Sequence, residues 1–230
     1  MCKNLPETPL PERIHGADLT EKLPKIKTFY APRVPRVWKQ EEVRAVLNSI
    51  DRGNPTGKRD YAILLIIARL GLRSVDIKDL RLENLKWDKN TIEFVQSKTK
   101  KPIVLPMLED VGWAIIDYLK NARPITDSPF VFVRHNAPFE AFGINAALNR
   151  ILVTHIHRAG VKVLRDLPKG LHSLRHTLAS TLLEQNTPLP VISEILGHMS
   201  VKSTDVYLHI DIKKLRQCAL DPEEVFDNVG

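Results

Sequence analysis

The stretch from Tyr61 to Ala68 constrains the fold more than any other part of this 230-residue chain. All of its residues are apolar, so a helix that contains them has no polar face to turn toward water. Such a helix lies at the centre of a core, with other elements packed around it. Thr56 is an N-cap residue type and Gly71 a type that ends helices, which predicts a helix from about Thr56 to Leu70. The apolar run is too short to cross a bilayer, and no membrane partner is expected.

Helices with one apolar stripe are predicted around this central helix, because apolar residues recur at intervals of three and four. They cover residues 38–50, 74–80, 108–121, 144–159, 171–182, 188–196 and 200–209. The period changes to that of β-strands at 85–87, 92–96 and 102–106, which are joined by turns. Residues 130–133 are predicted as a short buried strand or extended segment. The predicted fold class is therefore α+β, mostly helical with a small three-stranded antiparallel sheet.

The composition favours a folded protein that binds a polyanionic partner. Hydrophobic residues make up 43% of the chain, the net charge is +7 and the pI is about 9.4. Cys2 and Cys218 stand near opposite ends without a Cys-x-x-Cys motif, which argues against a disulfide framework or a cysteine zinc site. The first thirty residues contain no apolar signal segment. A reducing, cytoplasmic location is expected.

Residues 1–36 differ from the rest of the chain in composition. Prolines recur at positions 6, 9, 11, 24, 32 and 35, and the later part is basic. Proline at this density breaks helices and favours extended chain. Residues 1–36 are predicted to form a linker or a basic arm that follows the phosphates of a polyanionic partner, and the alternative is a disordered end. Residues 37–230 are predicted to form the folded domain.

The residues with the most distinctive chemistry follow position 171. His172 and Arg175 are one helical turn apart, His198 follows Gly197, and Tyr207 comes nine residues after His198. A guanidinium matches a phosphate with forked donors, and a histidine can move a proton near neutral pH. A tyrosine hydroxyl can act as a nucleophile when its proton is removed. Together these groups indicate phosphoryl transfer to a tyrosine without a metal.

This set, His172-x-x-Arg175 followed by Gly197-His198 and Tyr207, resembles the C-terminal signature of the tyrosine recombinases, or phage-type integrases. Two upstream segments strengthen the resemblance. The sequence Gly-Leu-Arg-x-x-Asp, with Arg73 as its arginine, resembles the motif of the family's first phosphate-binding arginine.

The predicted strands at 92–96 and 102–106 are similar to the family's hairpin, whose tip carries a catalytic lysine eight residues before a proline. Lys98 stands eight residues before Pro106 and is therefore preferred to Lys100. Ser97 and Thr99 stand where the family more often has glycine.

The resemblance implies the fold of the recombinase catalytic domain, with the sheet at one side, and six catalytic residues. These are Arg73, Lys98, His172, Arg175, His198 and Tyr207, and Asp76 is expected to orient Arg73 or a neighbour. The implied protein is a site-specific recombinase or integrase that cleaves and rejoins duplex DNA through a 3′-phosphotyrosine, with no cofactor, metal or ATP. The implied assembly is a homo-tetramer on paired DNA sites, and a monomer or weak oligomer when free.

The tail at 211–230 is expected to dock on a neighbouring protomer, or alternatively to fold back on its own domain. The expected location is the prokaryotic nucleoid.

Three other functions fit parts of the pattern. Residues 189–207 fit a non-catalytic helix-turn-helix DNA binder, which leaves Arg73, Lys98 and the His172–Arg175 pair unexplained. His172 and His176, at i and i+4, fit a metallohydrolase, although Arg175 stands between them and no glutamate is nearby. A type IB topoisomerase shares the chemistry and differs in whether four protomers assemble.

Overall fold

The computed structural model describes residues 37–143, 146–161 and 170–197. The predicted arm at 1–36, His198, Tyr207 and the tail at 211–230 lie outside the described residues. The described residues form seven α-helices, one 3₁₀ turn and one sheet. The helices are α1 (Gln40–Asn48), α2 (Pro55–Leu70), α3 (Ser74–Asp79), α4 (Glu109–Asn121), α5 (Asn149–Arg158), α6 (Leu171–Glu184) and α7 (Leu189–Ile195), and the strands are β1 (Leu85–Lys86), β2 (Thr91–Val95) and β3 (Pro102–Pro106).

Helix α2 is the central helix that the apolar run predicts. It packs against α1, α4 and α6, and every residue from Ala62 to Ile67 is buried. The predicted N-cap at Thr56 was wrong by two positions. The Asn54 side chain accepts a 2.7 Å hydrogen bond from the Gly57 N–H, and Pro55 takes the first helical position, which needs no N–H donor. Gly71 ends the helix in the left-handed region at φ +67°, as its residue type predicts.

The predicted three-stranded antiparallel sheet is confirmed, with strand order β1-β2-β3. Leu85 pairs with Ile92 and Ile92 pairs with Leu105, and these three side chains are buried on one face. Val95 and Val104 are exposed. One face of the hairpin therefore packs against the core, and the turn at 96–101 projects from the end of β2 and β3.

One predicted element is settled between its two alternatives, and another differs from the structure. Residues 130–133 are an extended segment: Val131 to Val133 are buried, and only isolated bridges join Phe130 to Arg81 and Val133 to Ala141, because neither partner lies in a strand of the sheet. Helix α5 begins at Asn149 rather than at 144. The Asn149 side chain accepts a 3.0 Å hydrogen bond from the Leu171 N–H, which joins the start of α5 to the start of α6.

Helix α6 is fixed to the start of the folded domain by Trp38. The Trp38 backbone N–H donates to Thr177 Oγ1 at 3.0 Å, and its indole N–H donates to Ser173 Oγ at 2.8 Å. The indole is 3% exposed. None of the described helices has the length and apolar content needed to cross a lipid bilayer.

Gly71→Ala tests how tightly the end of α2 is packed. A Cβ at Gly71 would lie 2.8 Å from Leu196 Cδ2, whereas a Cβ at Gly160, also left-handed at φ +62°, would meet nothing within 4 Å. We expect Gly160→Ala to lower the free energy of unfolding by about 1 kcal/mol through backbone strain alone. Gly71→Ala adds overpacking and should lower it by about 3 kcal/mol. Urea unfolding measures both, and equal losses would contradict the close contact of α2 with Leu196.

Candidate active site

The Arg175 guanidinium lies inside the protein, where three helices meet. It projects from α6, is 2% exposed, and donates hydrogen bonds to the carbonyl oxygens of Gly71 and Leu196. These carbonyls close the C-terminal ends of α2 and α7, which carry partial negative charge. The buried cation is therefore placed where two helix ends attract it, and it ties α2, α6 and α7 together.

Arg73 reaches the same place from the junction of α2 and α3. Its Nη2 donates to the Gly197 carbonyl oxygen at 3.1 Å, next to the Leu196 carbonyl that Arg175 binds. Its Nη1 is buried, lies 3.9 Å from Asp76 Oδ2, and has no hydrogen-bond partner among the described residues. The two guanidinium groups thus bind two consecutive carbonyls of one short segment.

Asp76 links Arg73 to the hairpin turn. It is 1% exposed, and its Oδ1 accepts a 2.9 Å hydrogen bond from the Ser97 N–H. Its Oδ2 is the oxygen that lies near Arg73. The carboxylate contacts both Arg73 and the residue before Lys98, in line with its expected orienting role.

Lys98 stands in the exposed part of this turn. Gln96 and Lys101 close the turn through a 2.9 Å hydrogen bond from the Gln96 N–H to the Lys101 carbonyl oxygen. Lys98 is exposed, and its charge acts on His172 across the site, because it is one of the groups that lower the pKa of that histidine. The turn therefore brings a cation from the hairpin toward α6.

His172 lies on the exposed side of α6, with its ring edge-on to the ring of His176 at a centroid distance of 4.4 Å. The pKa of His172 is lowered to about 4, chiefly because the ring is partly removed from water. Positive charge lowers this pKa further, and the groups that carry it are His176, Arg175, Arg73 and Lys98. The imidazole of His172 is therefore neutral at pH 7 and able to accept a proton.

Residues 36–214 match the model of the phage integrase family. The chain belongs to this family. It is 38% identical over 205 residues to a protein of Sinorhizobium fredii named integrase/recombinase y4rA; the match covers 89% of this chain and 49% of y4rA. The chain thus spans about half the length of that relative.

Solved structures with the same fold support the assignment. A crystal structure of XerA recombinase superposes with a TM-score of 0.66 at 25% identity and covers 82% of this chain and 65% of XerA. The Tn1549 transposon integrase in complex with circular intermediate DNA superposes with a TM-score of 0.62 at 20% identity. That match covers 81% of this chain and 68% of the integrase chain. The predicted fold and family are confirmed.

The structure brings together four of the six residues predicted for this integrase site. His172 and Arg175 lie on α6, Arg73 precedes α3 and Lys98 lies in the hairpin turn; Arg73 and Arg175 bind the carbonyls of Gly197 and Leu196, and the charges of Arg73, Arg175 and Lys98 all act on His172. His198 follows Gly197 in the sequence, and both His198 and Tyr207 lie outside the described residues. Among the residues that the structure describes, no group of three or more histidine, cysteine or acidic side chains could hold a metal ion.

Sequence reasoning missed Gln96, which lies against Gly197. A Cβ at Gly197 would stand 2.1 Å from Gln96 Nε2, so any other residue there would have to displace the Gln96 amide, and φ +58° at Gly197 favours glycine as well. Gln96 is 2% exposed, and its Oε1 accepts a 2.7 Å hydrogen bond from Thr99 Oγ1. A glutamine at the end of a strand has no feature in the sequence that marks it as part of a site.

Two other histidines lie apart from this site on α5. His155 is 1% exposed, and its Nε2 is 3.4 Å from Asp60 Oδ2 in the interior of the fold. Arg59 donates to the other oxygen of the same carboxylate at 2.7 Å. His157 is exposed. The buried position of His155 beside Asp60 gives it a structural role in the interior of the fold.

Replacement of single lysines in the turn tests which of them faces His172. Lys98→Gln removes a positive charge that disfavours protonation, so the pKa of His172 should rise above about 4. Lys100→Gln, the matched control in the same turn, should leave this pKa unchanged. Titration of the His172 ring proton by NMR measures both. A larger rise for Lys100→Gln than for Lys98→Gln would mean that the wrong lysine has been assigned.

Proposed function

We propose that this chain is the catalytic part of a site-specific recombinase or integrase that cleaves and rejoins duplex DNA through a 3′-phosphotyrosine intermediate. The observation that carries the proposal is the pair of arginines on two consecutive carbonyls. Arg175 binds the Leu196 carbonyl and Arg73 binds the Gly197 carbonyl, directly ahead of His198 in the sequence. Two guanidinium groups held this close attract an anion with two oxygens to bind. The phosphodiester of DNA offers two such non-bridging oxygens.

The proposed reaction begins at Tyr207. Its hydroxyl oxygen attacks the scissile phosphorus, the bond from phosphorus to the 5′-oxygen breaks, and a 3′-phosphotyrosine and a free 5′-hydroxyl are formed. Arg73, Arg175 and His198 stabilise the charge on the non-bridging oxygens, where loss of one donor typically slows a reaction by roughly 10²–10³-fold. The energy of the broken diester is retained in the tyrosine link, so rejoining needs no ATP.

His172 and Lys98 move the protons in this scheme. His172 accepts the proton of the Tyr207 hydroxyl, and Lys98 gives a proton to the leaving 5′-oxygen. With a pKa of about 4, His172 is a weak base in the free protein. A bound phosphate adds negative charge and raises that pKa, because it favours the protonated ring. The base therefore becomes effective when DNA occupies the site.

The non-catalytic helix-turn-helix alternative fits the structure less well. A protein that only binds DNA can carry its basic groups anywhere on its surface, and that role does not require a guanidinium held at the ends of two helices and one turn from a histidine, as Arg175 is. A neutral histidine flanked by cations from three other positions has no use in simple binding either. Both features suit acid–base chemistry on a phosphate. The complex of the Tn1549 integrase with DNA supports DNA as the partner, and the nucleoid is then the expected location.

Tyr207→Phe tests the proposed nucleophile. The substrate is a nicked duplex from which a short fragment diffuses away after cleavage, so that the covalent protein–DNA product accumulates. The variant lacks only the hydroxyl, so we expect normal DNA binding in a gel-shift assay and no covalent product on a denaturing gel. Excess EDTA should change the yield of the original protein by less than about two-fold. A covalent product from the Phe variant would assign another nucleophile, and loss of activity in EDTA would indicate a metal-dependent nuclease.

We also propose a homo-tetramer on paired DNA sites, in which residues 211–230 of one protomer dock on the next. The acceptor is a groove of about 610 Å³ between β3 and α7, lined by Ile103, Val104, Val191 and Ile195 among others. Strand β3 stands at the edge of the sheet, and Val104 is 63% exposed. Ile212, Leu215 and Leu220 of the tail match such an apolar groove.

Deletion of residues 211–230 tests this assembly. We expect weaker formation of multimers on DNA and an altered cleavage rate, with nearly unchanged binding to a single site. Val104→Asp should weaken assembly in the same way by charging the groove, whereas Val95→Asp, on an equally exposed residue of β2, serves as the control. Light scattering on the DNA complexes measures assembly. Full assembly by the truncated chain would show that the tail does not bridge protomers, whereas absence of any multimer from the complete chain would leave a topoisomerase, which acts without a tetramer, as the better description.

A further inference from the structure

Two carboxylates of α3 hold one residue of the hairpin turn. Asp76 and Asp79 are three residues apart and lie on one face of the helix. Asp76 Oδ1 accepts from the Ser97 N–H at 2.9 Å, and Asp79 Oδ2 accepts from the Ser97 hydroxyl at 2.6 Å. Ser97 is thus bound through its backbone and its side chain to the helix that follows Arg73.

The rest of the turn leaves Lys98 with few constraints of its own. Lys98 is exposed, and the regular pairing of the two strands ends at Val95 with Pro102. Beyond that pair, the turn is closed by backbone bonds between Gln96, Lys100 and Lys101. These bonds and that of the Thr99 hydroxyl to Gln96 fix the shape of the turn, and Gln96 lies against Gly197. The described hydrogen bonds that join the turn to α3 are those of Ser97. Since Ser97 directly precedes Lys98, its two bonds set where the lysine begins.

We infer that Ser97 and Asp79 are positioning residues for Lys98, which their hydrogen bond holds toward the scissile phosphate. This inference rests on the proposed function, in which Lys98 protonates the leaving 5′-oxygen. A hydroxyl bound to a carboxylate is a charge-assisted hydrogen bond, stronger than one between neutral groups. Glycine offers no side chain for such a bond. A serine at this position therefore adds a contact to α3 that a glycine would lack.

The contact matters because proton transfer depends steeply on distance. A displacement of about 1 Å at a reacting group can slow a reaction by roughly 10²-fold. Without the Ser97 hydroxyl or the Asp79 carboxylate, the turn remains bound to Asp76 through one N–H. We expect the turn to move more and the cleavage rate to fall by about tenfold, which is less than the loss from removal of Lys98 itself.

A substrate with sulfur in place of the 5′-bridging oxygen separates this role from a general loss of structure. A thiol has a pKa near 8.5 and leaves as a thiolate without a proton from the protein. Ser97→Ala and Asp79→Ala should each slow cleavage of the oxygen substrate about tenfold and that of the sulfur substrate less than twofold. The double variant should be no slower than either single variant, because both remove the same bond. Asp79→Asn, which keeps an acceptor oxygen, should recover most of the rate.

Glu83→Ala is the matched control for Asp79→Ala. Glu83 lines the same small cavity beside Ser97 and carries the same charge, but its ion-pair contact is with Arg81 at 3.8 Å. We expect Glu83→Ala to cleave both substrates at the original rate. Lys98→Ala should lose at least 10²-fold on the oxygen substrate and recover with sulfur. Equal losses on both substrates in the Ser97 and Asp79 variants, or no loss on either, would overturn the inference.

Hydrogen exchange of the turn tests the tether without any catalysis. The amides of residues 97–100 should exchange several-fold faster in Ser97→Ala and Asp79→Ala than in the original protein, and Glu83→Ala should leave them unchanged. Unchanged exchange in Ser97→Ala and Asp79→Ala would overturn the inference even if both variants cleaved DNA more slowly. Absence of any covalent DNA product from the original chain would instead contradict the proposed function, while faster exchange would still establish the tether.

Discussion

The buried guanidinium of Arg175 is the interaction on which the rest of the site depends. It binds the carbonyls that end α2 and α7 while its own helix, α6, carries His172. A cation with 2% exposure is tolerated only where opposite partial charges surround it, and two helix C-termini supply them. The same contacts fix the directions of three helices. The group proposed to stabilise a phosphate thus also holds the fold in the shape that creates the site.

A second set of contacts brings the hairpin into this frame. Arg73 binds the carbonyl next to the one that Arg175 holds, and Asp76 connects Arg73 with Ser97 and hence with the turn of Lys98. The Gln96 amide fills the space in front of Gly197, and a larger residue at 197 would have to displace it. Partial burial of the His172 ring lowers its pKa most, and the positive charge that these contacts collect around it lowers that pKa further. The cations that are proposed to bind the phosphate therefore also set the pKa of the proposed proton acceptor, His172, and a bound phosphate would offset their charge.

The elements that sequence reasoning predicted best are those whose pattern is local. The apolar run of α2, the strand pairs of the hairpin and the helix from Leu171 appear with bounds close to those predicted. The prediction was open or wrong where distant parts of the chain decide the outcome. Residues 130–133, for which a strand and an extended segment were both open, meet no strand, and the start of α5, which was misplaced, is tied to α6 through Asn149. Hydrophobic period carries no information about such partners.

The sequence by itself determined the helical core, the small sheet and the family, because periodicity and the order of chemically distinct residues are both readable along the chain. The tertiary structure alone decided that Arg175 is buried on two carbonyls, that Ser97 is held by two carboxylates, and that the pKa of His172 falls to about 4. The physical reason is that desolvation and Coulomb energies depend on distances between residues far apart in sequence. Those distances exist only after the helices have packed.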